Sequence, residues 1–476
     1  MADEGESHVL LVAFAAQGHI NPMLKFGRRL ASKGLRVTLA TTDNARERFS
    51  KAVASTGGDR HEIRLEFFSD GMSLDFDRIT HMDHFFQQLG EHGPGNLTKL
   101  IDDVYHSRGR KLCCIVNNPF VPWVANVADK LGLPCAMLFI QPCMLYATYY
   151  RYYTGLNEFP PLDDPEVEVH LPGLPVLKKD DLPSFLLPSN PLPTIPKVLS
   201  QCFLNMEKVK WVLGNSFYEL EKKVVESMAS IRPIIPVGPL VPPALLGEED
   251  TSSDQSVMDL WKPEEHCLQW LDQKPPASVV YISFGSVVVL RPEEMENIAR
   301  GLRNSSFPFL WVIKPGENST DDKDGGISPP DFLKETEEQG LVVTWCPQTR
   351  VLSHPSVACF VTHCGWNSTL ETVTSGVPAV AYPQWTDQPM NAKLLEDVLE
   401  MGVRMKAGSD GVVSQEEVER CIAEVMTGPK SAKMKAAASK WKEAARAAVA
   451  HGGSSDQSIQ TFVEQIISMD SSSSDL

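Results

Sequence analysis

The chain makes the same start twice. Near its beginning the apolar run HVLLVAF is followed by AAQGHINPMLKFGRRLASKG, with apolar residues at helical spacing, and then by a second apolar run, LRVTLATT. A strand, helix and strand in that order require a parallel pair joined by a right-handed crossover. The runs CCIVNN (113–118), PCAMLFI (134–140) and WVLGNS (211–216) continue the alternation. Near residue 278 the pattern begins afresh: SVVYISFGS reads as a strand ending in a Gly-Ser turn. The next segment, RPEEMENIARGLRNS, reads as a helix with proline in its first turn and acids at its N-terminus. FPFLWVIK, GLVVTWC and VACFVTHC follow as strands. At 476 residues the chain is too long for one ordinary core. The expectation is an α/β protein with two Rossmann-like parallel-sheet domains.

Between the halves, VPPALLGEEDTSSDQSVMD (241–259) is rich in Pro, Ser and acids and has no period, which reads as a linker. The boundaries expected are 1–245 and 260–455 for the domains, 246–259 for the linker, and 456–476 for a final helix and tail. GENSTDDKDGG (316–326) reads as a surface loop, and the terminal DSSSSDL as disordered.

The chemistry concentrates between Trp345 and Gln388, in WCPQTRVLSHPSVACFVTHCGWNSTLETVTSGVPAVAYPQWTDQ. A strand that breaks at a glycine and opens a helix aims backbone N–H groups and the positive helix end at one point, a natural seat for phosphate. His363, Asn367 and Ser368 add side-chain donors there. Asp387 and Gln388 close a second apolar run, VPAVAYP, and can bind hydroxyls. A diphosphate and a polyol are both served, which is what a nucleotide sugar needs.

This stretch resembles the signature box of plant family-1 UDP-glycosyltransferases almost position for position, and the resemblance runs from about residue 8 to about residue 465. It implies the GT-B architecture, the two domains facing each other across a cleft, with acceptor bound by the first domain and UDP-sugar by the second. It also implies that the last helix crosses back to pack on the first domain. By resemblance, Trp345 stacks on uracil, Cys346 lies beside it, Gln348 meets the ribose or uracil edge, and Glu371 holds the ribose hydroxyls. His363, Asn367 and Ser368 cradle the diphosphate with the turn Gly285–Ser286; Trp366, Asp387 and Gln388 touch the sugar. Glutamine at position 388 accompanies glucose preference in the family, so UDP-glucose is the expected co-substrate, with neither cofactor nor metal. His354 in the same box reads as packing, and Gly365 and Gly376 as backbone geometry.

His19, in AAQGHINP at the end of the first strand, matches the family's catalytic histidine. It would act as general base, taking the proton of an acceptor hydroxyl whose oxygen attacks the anomeric carbon opposite the departing UDP. In most of the family an aspartate about a hundred residues on supports that histidine. Here the matching segment is IVNNPFVPW, and Asn118 stands in its place. An amide can orient the ring but cannot offset a positive charge. That loss matters less for a carboxylic acid, whose pKa of about 4 to 5 leaves it ionised at neutral pH. The segments around Asn118 and Tyr146 also resemble the branch that forms glucose esters of phenolic acids, so an ester-forming, inverting glucosyltransferase is expected. Transfer to a phenol oxygen, or to an aromatic carbon of flavonoid-like acceptors, stands as the alternative. Phe120, Trp123, Tyr146, Phe185 and Trp385 are the candidate acceptor-binding residues.

Other classes fit less well. The net charge of -17 argues against nucleic acid or an anionic membrane surface as partner. The ten cysteines lack metal-ligand spacing and mostly sit in apolar runs, as buried thiols in a reducing compartment do. MADEGESHVLLVAF has acids rather than a basic segment before its apolar run, which points to the cytoplasm. No coiled coil or repeat forces association, so a monomer is the default. A dinucleotide oxidoreductase would need GxGxxG after a leading strand, and none is present. A UDP-sugar-binding regulator without turnover would have little use for His19, Asp387 and Gln388 together.

Overall fold

In the computed structural model, which describes residues 7–46, 63–108, 110–248, 266–285, 288, 290–313 and 332–472, the two starts become two parallel sheets. The first contains β1 (His8–Val12), β2 (Arg36–Thr42), β3 (Arg64–Phe68), β4 (Leu112–Asn117) and β5 (Cys135–Phe139). A small antiparallel pair, β6 (Glu168–Val169) and β7 (Leu177–Lys178), precedes the sheet's last strands, β8 (Trp211–Gly214) and β9 (Ile234–Pro236). The second sheet holds β10 (Val279–Ser283), β11 (Phe309–Val312) and β12 (Gly340–Val343), then β13 (Val357–Thr362), β14 (Ala379–Ala381) and β15 (Gly402–Arg404).

Strand order is β3-β2-β1-β4-β5-β8-β9 in one sheet and β12-β11-β10-β13-β14-β15 in the other. In each the chain runs outward to one edge, returns to the middle and runs to the opposite edge. The order therefore reverses between β1 and β4, and again between β10 and β13. Crevices open at such reversals, beyond the carboxyl ends of the strands, because the flanking crossovers depart to opposite faces.

The strands are continuous apolar runs because helices cover both faces. Val9 and Leu11 of β1 pack with Ile459, Phe462, Val463 and Ile466, while Leu10 and Val12 face Phe85 and Leu89 on the other side. The first group belongs to the last helix, Ser454–Ser472, which lies on the first sheet. Trp211 Nε1 donates to Gln465 Oε1 at 2.6 Å, and the Ser455 hydroxyl donates to the Gly238 carbonyl. Asp470, Ser471 and Ser472 are helical, which corrects the expectation that the whole DSSSSDL stretch is disordered. Residues 249–259 of the expected linker and the whole 316–326 stretch lie outside the described residues. At the start of the segment read as a linker, Pro243–Leu246 forms a short helix with Leu245 and Leu246 buried.

The halves touch through one shared apolar cluster in which Trp366 and Leu370 join Phe217, Leu220 and Leu245. Among the described residues, no helix is long and apolar enough to cross a membrane. All ten cysteines are buried and free.

Candidate active site

His19 sits in the first turn of the helix Gln17–Ser32, which starts just past the carboxyl end of β1. Asn118 follows β4, and its backbone N–H donates to Val12 O at 3.1 Å, closing β4 onto β1. The strand reversal thus sets His19 beside Asn118, with Nδ1 3.0 Å from Asn118 Oδ1. The orientation of that amide follows from a third group. The Phe120 backbone N–H donates to the same Oδ1 at 3.1 Å, so the atom between them is oxygen, an acceptor. His19 Nδ1 must then carry the proton, and Nε2 is left with its lone pair. Asn118 is fully buried, so the geometry is protected from water. Burial lowers the His19 pKa to about 4, with the Asn118 contact acting in the opposite sense. The residue as a whole is half-buried. His19 is therefore a neutral base at physiological pH, oriented by an amide that offers no charge.

Aromatic rings box it in. Phe120 meets the imidazole edge-on at 4.6 Å between centroids and Phe14 at 5.1 Å, while Phe86 stacks on Phe14 at 5.4 Å. Phe185 and Trp385 meet at 6.2 Å across the two halves.

A proline in the His19 helix links this loop to the opposite domain. Pro22 has no N–H, so the carbonyl four residues earlier, that of Gly18, loses its helical partner. Asn367 Nδ2 donates to that carbonyl at 3.2 Å. The first turn of the helix Trp366–Ser375 is thereby tied to the residue preceding His19.

On the second sheet, His363 follows β13 and lies beside the turn that ends β10, again at the reversal. Its ring is flanked by two glycines. A Cβ on Gly285 would fall 2.6 Å from His363 Cε1, and one on Gly365 would fall 2.5 Å from Nε2. Gly285 also has φ of +73°, so both space and backbone conformation require glycine there. Ser286 lies outside the described residues. Gln348 organises the neighbouring corner. Its Nε2 donates to Glu371 Oε2 at 2.6 Å and to Ser368 Oγ at 3.2 Å, while its Oε1 accepts from Tyr281 OH at 3.0 Å. Burial raises the Glu371 pKa, and the Lys25 ammonium and the Gln348 amide oppose that rise. Cys346 is buried, its thiol 3.3 Å from Tyr281 OH. Trp345 follows β12 and is half-buried.

Asp387 and Gln388 sit beyond β14, where the helix Gln388–Lys393 begins. Asp387 Oδ1 accepts from Thr386 Oγ1 at 2.7 Å and Oδ2 from Asn391 Nδ2 at 2.8 Å. Burial pushes its pKa upward against these bonds and one from Gln141. Asn391 Nδ2 also donates to Cys364 O at 2.8 Å, joining this loop to the His363 turn. Gln388 Oε1 accepts from Gln384 N at 2.9 Å and Trp385 N at 3.2 Å, so its amide nitrogen is the end left to meet a ligand.

Several expected residues are placed elsewhere. Trp366 is buried and its Nε1 donates to Asn215 O at 2.7 Å, so it braces the two halves and has no polar side-chain atom left for a sugar. Tyr146 is a core side chain whose hydroxyl donates to Arg232 O at 3.3 Å. Trp123 packs over Gly93, where a Cβ would come 2.7 Å from its ring, and meets Phe68 edge-on. His354, read from the sequence as a packing residue, bonds Ser356 Oγ at 2.8 Å and Asp272 Oδ1 at 3.1 Å. Phe14, Phe86 and Asn391 were not among the expected residues. Phe14 directly extends the first strand's carboxyl end and Asn391 lies one helical turn beyond Asp387, so position alone marks both.

Comparison with known proteins sharpens this geometry. Residues 265–440 match the model of the UDP-glucoronosyl and UDP-glucosyl transferase family. Gallate 1-beta-glucosyltransferase 84A24 of Punica granatum is 45% identical, covering 98% of this chain and 90% of that protein. The limonoid UDP-glucosyltransferase of Citrus unshiu is 44% identical, over 98% of this chain and 91% of its own. A crystal structure of Os79 from O. sativa in complex with UDP superposes with a TM-score of 0.84 at 34% identity, covering 96% of this chain and all of the other. The fold is GT-B, with two parallel-sheet domains.

Proposed function

We propose, from the premise that this chain belongs to the UDP-glycosyltransferase family, that it transfers glucose from UDP-glucose to the carboxylate of a small phenolic acid. A carboxylate oxygen would attack the anomeric carbon as the bond to the diphosphate oxygen breaks, and the electron pair leaves on UDP. One such displacement turns the α-linked donor into a β-glucose ester.

The observation that carries this reading is the neutral amide behind His19. A hydroxyl acceptor must lose a proton to Nε2, and the imidazolium formed has no carboxylate to stabilise it. A carboxylate acceptor makes no such demand. The relative from Punica granatum named for gallate supports this acceptor class, while the Citrus unshiu relative named for limonoids shows that this level of identity does not fix it.

On the donor side, Glu371 and Gln348 would meet the ribose, and Trp345 the uracil. The N–H groups opening the helix Trp366–Ser375, with His363 and Gly285, would face the diphosphate. Asp387 and Gln388 would meet the sugar hydroxyls. The helix end and His363 supply the positive potential that the leaving group needs, so we infer that no metal takes part and a chelator leaves turnover unchanged.

The acceptor reading is tested by incubating the protein with UDP-glucose and matched acids and phenols, then treating the products with mild alkali. Release of free acid identifies an ester; alkali-stable products would replace this reading with O- or C-glucosylation. For the donor site, Glu371→Gln should weaken UDP and UDP-glucose alike, roughly tenfold by calorimetry, since a charged acceptor becomes a neutral one. Unchanged affinity would remove Glu371 from the ribose.

A further inference from the structure

We infer that Ser184 and Asp181, both on the acceptor-binding half, are positioning residues for the donor sugar, acting through a clip that holds the loop Trp385–Gln388. The inference rests on the proposal that Asp387 and Gln388 meet that sugar.

The clip is built from two short turns, Lys179–Asp181 and Ser184–Leu186. Ser184 and Thr386 bond reciprocally. Ser184 N donates to Thr386 O at 2.9 Å, and Thr386 N donates to Ser184 Oγ at 2.8 Å. Thr386 has φ of +61°, a left-handed conformation that is strongly disfavoured for a β-branched residue. Such a conformation persists where the surrounding structure over-determines it. The reciprocal pair from Ser184 satisfies both backbone groups of Thr386 in that conformation. The strained residue directly precedes Asp387, and its Oγ1 donates to the Asp387 carboxylate. Releasing Thr386 into an extended conformation would swing the Asp387 and Gln388 side chains off their present directions.

Asp181 anchors the clip at two further points. It is 6% exposed, and its Oδ1 pairs with Arg404 Nη1 at 2.8 Å and its Oδ2 with Lys393 Nζ at 3.3 Å. Arg404 ends β15, paired with Ala381 at the end of β14, the strand that leads into the loop. Lys393 ends the helix that begins at Gln388. One buried carboxylate from the first domain therefore fixes both flanks of the loop. Gln141, after β5, bonds Asp387 from the same side. The sugar-binding loop belongs to the second domain by sequence but is shaped by the first. The residues expected to meet uracil, ribose and diphosphate lie on other segments, which neither Ser184 nor Asp181 bonds.

The test separates sugar from nucleotide. Ser184→Ala should lower kcat/KM for UDP-glucose roughly tenfold, the loss of one bond plus release of the strained residue, while the Kd for UDP stays within about twofold. Ser184→Thr keeps the hydroxyl and should restore most of the loss. Asp181→Asn carries the same test, should Ser184→Ala fail to fold, and should give the same split between UDP-glucose and UDP. Gln388→Ala is the control for the underlying reading. If it leaves kcat/KM for UDP-glucose intact, the loop does not hold the sugar, and both assignments fall. If Gln388→Ala acts but the Ser184 variant retains wild-type kcat/KM, or loses UDP and UDP-glucose affinity in parallel, only the clip is overturned.

Discussion

His19→Ala should lower kcat toward phenol acceptors by about 10²- to 10⁴-fold, the usual contribution of a positioned general base, and far less toward carboxylic acids. The expectation follows from where the proton sits. With Phe120 N and His19 Nδ1 both directed at Asn118 Oδ1, the imidazole presents a bare Nε2, and burial keeps it unprotonated down to about pH 4. A phenol with a pKa near 10 arrives with its proton and needs that nitrogen. A phenolic acid arrives ionised at the carboxyl. Steady-state kinetics on a matched acid and phenol, with the UDP Kd measured alongside, checks both halves of the statement. Equal losses for the two acceptors would mean that His19 orients the acceptor rather than accepting a proton. Full activity toward both would remove it from the mechanism.

Much of this was readable before any coordinates. Runs such as HVLLV and CCIVN became strands with little ambiguity because a parallel strand buried on both faces must be apolar throughout. His19, Asn118, Trp345 and His363 sit just past strand ends, where a βαβ chain must turn. Strand order was not readable. No local pattern states that β4 returns beside β1, or β13 beside β10, yet those returns create both halves of the site. Side-chain direction also escaped the sequence. Trp366 and Tyr146 are aromatic residues close in the chain to functional segments, and only packing reveals that one braces the halves and the other fills the core. No local pattern marks the role of Pro22. Its consequence, a freed Gly18 carbonyl taken by Asn367, depends on two segments that meet only in the folded chain. The stacking of Phe14 and Phe86 beside His19 is likewise a tertiary fact.

Asn118→Asp should shift the phenol-to-acid ratio of kcat/KM by about ten- to a hundredfold in favour of phenols. Phe120 N and His19 Nδ1 can still donate to a carboxylate oxygen, so the tautomer and the ring orientation survive. What changes is charge. A carboxylate at hydrogen-bond distance stabilises the imidazolium and typically raises a histidine pKa by about 1 to 3 units. The sign of the pH effect follows. In the unaltered protein His19 becomes a cation only near pH 4, so its phenol activity should hold from neutral pH down to about pH 5. In Asn118→Asp the acid limb should move upward, because protonation of the base begins at higher pH, while the rate at neutral pH rises. Acid acceptors gain little at neutral pH, since they have no proton to give. The exchange has a structural cost. Asn118 Nδ2 has no partner among the described residues, and an oxygen in its place is buried without a donor, which costs about 1–3 kcal/mol unless His19 becomes charged beside it. The variant should therefore melt lower than the parent at high pH and recover part of that loss as the pH falls through the raised His19 pKa. If the phenol-to-acid ratio and the acid limb both stay where they were, charge behind His19 does not set acceptor choice, and the amide at position 118 must be explained by packing alone.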